Sequence, residues 1–230
     1  MNTLVILMSI FVASFVIGYV WSYLLVYKNG MDGKMHHNKK LSISKFIQRT
    51  RFALGNFFLM SVVTCVSLFL IGEDLFTFES IGVLELVIGF VVMLVVDDVW
   101  FYGIHRIMHE NKFLYRRIHS VHHRAIPPIP MDYLYAHPIE AMGASMGLIW
   151  GLLVLVLTTG TASIWVFAAY TVYRTLHELA IHSGLEIIPE KWLGPLGGSK
   201  HHFNHHRYNA GNYASGLVIL DKVFATEIKR

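Results

Sequence analysis

The chain has 230 residues, of which 54% are hydrophobic and only 15% charged, whereas about a quarter of the residues in an ordinary soluble domain are charged. This composition excludes a disordered tail and a solvated helical rod, and the single cysteine, Cys65, excludes a disulfide scaffold and a multi-cysteine metal site. The net charge of +4 does not indicate nucleic-acid binding, because that function needs a basic face on a soluble domain. The chain also has 14 histidines, and histidine is the commonest protein metal ligand.

Apolar runs predict an all-α fold, a polytopic membrane bundle of three spanning helices and a helical hairpin. The predicted crossings are residues 4–27, 52–71 and 81–96, whose lengths lie around the roughly 20 residues that a spanning helix needs. Two further apolar runs, 141–158 and 161–173, are separated by a polar turn and form the predicted hairpin. Because the second of these runs is short, the sequence leaves open whether the hairpin fully spans the bilayer.

The basic residues predict how this bundle is oriented. All 19 Lys and Arg lie in residues 28–51, 103–140 and 174–230, and none lies in 72–80 or 158–161. Since Lys and Arg accumulate on the cytoplasmic side of membranes, we expect an outside N-terminus and large polar segments inside the cell. The membrane would be the endoplasmic reticulum in a eukaryote or the inner membrane in a bacterium.

Nine of the 14 histidines fall in three short clusters: HRIMH at 105–109, HSVHH at 119–123 and HHFNHH at 201–206. Residues three and four apart share a face of a helix, so each cluster can present two or three imidazoles to one ion. The predicted ligands are His105, His109, His119, His122, His123, His202, His205 and His206. Together they exceed what one tetrahedral zinc can use, which predicts two metal ions, although imidazole suits iron, zinc, copper and nickel alike. All three clusters lie in the predicted cytoplasmic segments, so we expect a metal site that receives lipophilic substrate from the bilayer.

Other polar residues are weaker candidates. His137 and His182 each lie where a polar segment meets an apolar run, and both remain open as ligands. Asp98 lies seven residues before His105 on the same helical face, where a carboxylate can accept the free N–H of a ligating imidazole. A carboxylate facing the lipid headgroups is an equal alternative for Asp98. His177 is expected to support the site without binding metal.

From residue 95 to residue 226 the sequence resembles the fatty acid hydroxylase/sterol desaturase superfamily of membrane oxygenases. The motifs that carry the resemblance are DVWFYGIH at 98–105, YAHPIE at 135–140, HSG at 182–184, HHFNHH at 201–206, GNYAS at 211–215 and the late Asp221. Their order and spacing are most similar to the C-4 methylsterol oxidase branch. The resemblance divides the chain into N-terminal membrane helices with a basic loop, 1–80, and one integrated catalytic unit, 81–230.

The resemblance implies a non-haem pair of iron ions, for which zinc can substitute on isolation, that uses O2 to attack a C–H bond of a sterol or related lipid. It implies the eight histidines above as ligands, His137, His182 and His201 as less certain ones, and Asp221 as a supporting residue. Asp98 and His177 are predicted as supporting residues from their positions, and the family pattern has no histidine at the position of His177. An external donor, cytochrome b5 or a ferredoxin with an NAD(P)H reductase, would supply electrons.

Three alternatives remain open. Sterol desaturation and the hydroxylation of a fatty acid or carotenoid belong to the same superfamily. A zinc-dependent membrane hydrolase would use Glu140 or Glu178 as its base. A metal transporter would carry histidines within its crossings, and here the clusters lie outside them.

Overall fold

The computed structural model describes residues 3–28, 36, 40–71 and 73–228. It is built almost entirely of helices, which confirms the predicted class. The long helices are α1 (Thr3–Lys28), α2 (Ile43–Ile71), α3 (Val83–Glu110), α5 (Pro138–Thr159) and α6 (Ile164–Ile181), and the short ones are α4 (Lys112–Arg117), α7 (Glu190–Leu193), α8 (Ser199–Tyr208) and α9 (Ile219–Val223). Single 3₁₀ turns cover Glu73–Leu75, His119–Arg124 and Pro130–Leu134. Residues 29–35 and 37–39 of the predicted basic loop, with His37 among them, lie outside the described residues.

Three of the described helices are long and apolar enough to cross a membrane: Thr3–Tyr27, Ile43–Ser67 and Pro138–Thr159. The first two coincide with the predicted crossings 4–27 and 52–71. The third is the first arm of the predicted hairpin, and this arm is therefore long enough to span; the second arm, α6, is not one of the three. The run 81–96, predicted as a third crossing, forms the first half of α3, which continues to the first histidine cluster.

Two short strands fix one end of the bundle. β1 (Phe76–Thr77) and β2 (Ala162–Ser163) pair in parallel. They join the loop before α3 to the turn between α5 and α6, the two segments that contain no Lys or Arg. The opposite ends of α3, α5 and α6 therefore lie together, and they carry the histidine clusters or lead into them.

Close packing of α3 against α5 holds the centre of the bundle. A Cβ atom on Gly151 would lie 2.8 Å from Sδ of the fully buried Met93, and one on Gly147 would overlap the carboxylate of Asp97. Asp97 is held in turn by α6, because it accepts a hydrogen bond from Tyr170 (2.7 Å) and pairs with Arg174 (2.5 Å). Buried, hydrogen-bonded ion pairs of this kind can fix the register of the helices that carry them. Together with the close packing at Gly147 and Gly151, they leave α3, α5 and α6 little freedom to slide past one another.

Candidate metal centre

The structure brings nine histidines together in two groups. The first group contains His105, His109, His119, His123 and His205; the second contains His122, His182, His202 and His206. Within each group the nearest ring nitrogens all lie within 4.8 Å of one another, and eight of the nine residues are buried. All eight histidines of the predicted ligand set are in these groups, and His182 joins them.

The groups do not follow the sequence clusters. His119 and His123 belong to the first group, while His122, between them in sequence, belongs to the second. The C-terminal cluster divides in the same way, since His205 lies in the first group and His202 in the second. The expectation that each cluster serves one ion is therefore wrong: α8 and the 3₁₀ helix His119–Arg124 lie between the groups and contribute to both.

The spacing of the ring nitrogens fits a bound metal. In the first group the Nε2 atom of His119 lies 2.7 Å from that of His109 and 3.2 Å from that of His105. In the second, Nε2 of His202 lies 3.0 Å from Nε2 of both His182 and His206. Nitrogens bound about 2.1 Å from one metal and at right angles to each other are separated by about 3 Å. The donor set therefore has the dimensions of a ligand shell.

The opposite ring nitrogens show which tautomer these histidines adopt. Five of them hold Nδ1 against an oxygen atom: His105 on Tyr213 O (2.7 Å), His119 on Glu140 Oε1 (2.7 Å), His122 on Tyr135 O (3.2 Å), His182 on Glu178 O (2.8 Å) and His205 on Gly211 O (2.8 Å). Carbonyl and carboxylate oxygens only accept hydrogen bonds, so Nδ1 carries the proton and Nε2 presents a lone pair to the group. Such outer hydrogen bonds orient the histidines of metal sites.

Burial keeps these imidazoles neutral, as metal binding requires. Loss of solvent, reinforced by the neighbouring His105, lowers the pKa of His109 to about 3. Burial, with His182 next in effect, lowers the pKa of His122 to about 3 as well. The pKa values of His202 and His206 are lowered for the same reason. Neutral donors that face one another at these distances have unbalanced lone pairs, which a cation satisfies.

Two aspartates hold the backbone that supports the first group. Asp221 accepts hydrogen bonds from the backbone N–H groups of Tyr213 (2.8 Å) and Ala214 (2.9 Å), and so places the carbonyl of Tyr213 against His105. Asp98 accepts from the backbone N–H of Gly216 (2.8 Å) and of the next residue. His105 therefore does not make the direct bond to Asp98 that the sequence left open; the carbonyl of Tyr213 takes that place, in a loop that Asp98 holds.

The remaining candidate histidines lie outside both groups. His137 caps α5 and accepts a hydrogen bond from the backbone of Ile139 (3.2 Å). The ring of His201 bonds to Asp221 (3.0 Å), and that of His177 to the carbonyl of Ser215 (3.1 Å). The roles of His137 and His201 as less certain ligands and of His177 as a supporting residue remain predictions.

An apolar cavity of about 270 Å³ connects the predicted membrane helices with both histidine groups. Leu7 and Phe11 of α1 and Phe57 of α2 line one part of it, and His119 and His122 lie in its wall. Ligand sites are typically concave, mostly apolar and supplied with a few polar groups. The cavity therefore gives a hydrocarbon ligand a place next to the imidazoles.

Sequence reasoning missed the part that Glu140 plays in this site, since it considered Glu140 only as a base for a hydrolase. The side chain is buried at the first turn of α5, with one oxygen on His119. A carboxylate at the start of an apolar helix was the available signal, because ionisable residues in membrane helices usually have a function. The carbonyl acceptors could not be found this way, because any residue type supplies a carbonyl.

Comparison with known proteins gives consistent matches. The family model described as fatty acid hydroxylase matches residues 90–226. The chain is 33% identical over 137 residues to methylsterol monooxygenase 1 of Rattus norvegicus, covering 59% of this chain and 45% of the relative. It is 36% identical over 138 residues to a very-long-chain aldehyde decarbonylase of Oryza sativa subsp. japonica, covering 58% of this chain and 50% of the relative. The chain thus spans about half the length of these relatives. No solved structure matches it.

The apolar helices, the cavity and the two histidine groups define a helical membrane protein with a candidate metal site. With more than half of its length matched by the family model, the chain belongs to the fatty acid hydroxylase family. The superfamily inferred from the sequence motifs is thereby confirmed.

Proposed function

We propose that this protein is a membrane-bound, O2-dependent non-haem diiron oxygenase that oxidises a C–H bond of a sterol or a related lipid. The C-4 methylsterol oxidase reaction is the leading case, and the methylsterol monooxygenase relative supports it. The observation that carries the proposal is the apolar cavity, which has members of both histidine groups in its wall.

Different residues of the site would hold the metal ions and the lipid. Five histidines would hold one iron and four the other, and surrounding oxygens would fix the Nδ1 protons of five of the nine. The chemistry that an iron pair supplies when bound is the activation of O2 for attack on an unactivated C–H bond. The apolar wall formed by Leu7, Phe11 and Phe57 would hold the lipid and exclude water, which protects a reactive centre from side reactions.

The partners and orientation are part of the same proposal. We infer that electrons arrive from an external donor, cytochrome b5 or a ferredoxin with an NAD(P)H reductase. The histidine groups would face the cytoplasm, since the basic residues cluster with them in sequence. Residues 1–80 would serve as the membrane support and residues 81–230 as the catalytic unit.

A second candidate is a reaction on a long-chain aldehyde, which the identity to the aldehyde decarbonylase favours. Desaturation of a sterol and hydroxylation of a fatty acid or carotenoid would use the same centre. A zinc hydrolase is less well supported: it needs fewer ligands and a free carboxylate base, whereas the centre has nine imidazoles, and Glu140 and Glu178 already accept hydrogen bonds from His119 and Ser215.

The test is lipid analysis of a host that expresses this chain together with a reductase and donor, with and without O2. We expect a 4-methylsterol supplied to the host to gain oxygen at the methyl group only when O2 is present. Loss of a terminal carbon from a supplied long-chain aldehyde would select the second candidate. Hydrolysis products that form without O2, with one zinc per chain, would refute the oxygenase.

A further inference from the structure

Asn56 is a buried amide within the apolar helix α2. It lies in the span Ile43–Ser67, which is long and apolar enough to cross a membrane, and only 3% of its surface is exposed. Polar groups in such helices are costly and usually serve a function. The side-chain nitrogen of Asn56 donates to the carbonyls of Leu134 (2.8 Å) and Ala136 (2.7 Å). An amide NH2 has two hydrogens, so these bonds use its full donor capacity.

The two carbonyls that Asn56 holds are on either side of Tyr135. The carbonyl of Tyr135 is the acceptor for Nδ1 of His122, at 3.2 Å. By fixing the peptide units around Tyr135, Asn56 sets the position and direction of that acceptor. The acceptor in turn sets the ring of His122, whose Nε2 lies 3.3 Å from Nε2 of His182 in the second histidine group.

Arg49 holds the beginning of the segment that connects the 3₁₀ helix His119–Arg124 to α5. It lies seven residues before Asn56 in α2, which is about two helical turns. Its guanidinium donates to the carbonyl of Pro127 (2.7 Å) and pairs with Asp132 (2.8 Å), and Asp132 accepts from the backbone of Ile129 (2.8 Å). The segment from the histidine cluster to α5 is thus held from α2 at both ends. α2 lies outside residues 90–226, the segment that the family model matches.

We propose that Asn56 is a positioning residue for the second histidine group, acting through the carbonyl of Tyr135 on His122. Arg49 fixes the fold of the connecting segment, and Asn56 directs the one carbonyl that bonds to His122. The proposal rests on the metal centre described under the proposed function. It assigns part of the control of that centre to a membrane helix that precedes the matched segment.

The test is an anaerobic titration of iron(II) into the metal-free, purified full chain, with bound iron counted per chain. Asn56→Leu removes both hydrogen bonds at almost constant side-chain size. The matched control is Ser61→Ala in the same helix, because among the described residues the Ser61 hydroxyl bonds only to the carbonyl of Phe57 in its own helix (2.9 Å). We expect Asn56→Leu to bind one iron normally and the second about 10-fold or more weakly, and the control to match the wild type.

Three results would overturn the proposal. If Asn56→Leu binds both irons with wild-type affinity while the metal-free protein melts at a lower temperature, Asn56 has only a packing role. If both irons weaken equally, Asn56 does not act on one group. If Asn56→Leu does not fold, Asn56→Asp keeps the shape but replaces the amide donors, and undiminished binding of the second iron would again refute the idea. A wild-type chain that binds two irons and oxidises no lipid would remove the proposed function and leave this proposal standing.

Discussion

At the scale of the residue, five of the nine histidines in the candidate metal centre differ from the other histidines in the ring nitrogen that faces an oxygen. His105 and His205 bond through Nδ1 to backbone carbonyls and direct Nε2 into the first histidine group, to which both belong. His137 directs its Nδ1 to the start of a helix, and His201 bonds to a carboxylate through Nε2. The side of the imidazole that is free therefore distinguishes a ligand candidate from a structural histidine.

His205→Ala and His122→Ala test this distinction, one in each group. We expect each variant to lose oxygenase activity and to retain about one of two irons, because the group that is not mutated keeps all of its histidines. His137→Asn is the matched control: asparagine is a good helix N-cap, so α5 should still begin at Pro138 and activity should persist. Iron content by elemental analysis and turnover of the lipid substrate are measured together. If His205→Ala still binds two irons, or if His137→Asn loses iron, the assignment of these histidines as ligand and structural residue would be contradicted.

At the scale of the element, the site depends on how closely α3 approaches α5. α3 carries His105, and the first turn of α5 carries Glu140, which bonds to His119. Gly147 makes the approach possible, because a Cβ at this position would overlap the carboxylate of Asp97. A wider gap between these helices would therefore move His105 relative to His119.

Gly147→Ala is expected to lower both stability and activity. Inserting a methyl group into a packed interface costs about 1–3 kcal/mol, and the displaced helices would misalign the first histidine group. The control is Gly103→Ala in α3, where a Cβ would meet nothing within 4 Å in the described part of the chain. Because alanine is the better helix former by about 1 kcal/mol, this variant should be at least as stable as the wild type. Thermal unfolding in detergent and iron content are the measurements; equal behaviour of the two variants would contradict the packing argument.

The same elements show how far the sequence can predict the centre. The 3.6-residue period places His105 and His109 on one face of α3, and the structure puts both in the first group. The same period does not predict the grouping of the histidines at residues 119–123, because the chain there forms a 3₁₀ helix and not an α-helix. These histidines divide between the two groups. Which group each ring enters depends on the packing of α6 and α8 around that turn, and this tertiary contact leaves no local pattern.

At the scale of the whole molecule, charge and architecture agree about the two ends of the bundle. The strand pair Phe76–Thr77 and Ala162–Ser163 joins loops without Lys or Arg. The histidine groups lie toward the other ends of α3 and α6, in segments that contain many of the basic residues. The composition of the run 81–96 alone predicts a membrane crossing. Within the fold this run is part of α3, a helix that reaches from the strand pair to the histidine groups.

This arrangement predicts which end of the molecule faces the cell exterior in a bacterial host. Thr161, next to β2, and Arg116, in α4, are both exposed, so a cysteine at either position can react with a thiol reagent. In a Cys65→Ser background, we expect Thr161→Cys to react with a membrane-impermeant maleimide in intact cells. Arg116→Cys should react only after the membrane is opened, because basic segments stay on the cytoplasmic side. The Cys65→Ser protein without an added cysteine should not react with the maleimide, because Cys65 is the single cysteine of the chain. The reverse labelling pattern would place the histidine groups outside the cell, where a cytoplasmic electron donor could not reach them, and would refute the proposed supply of electrons.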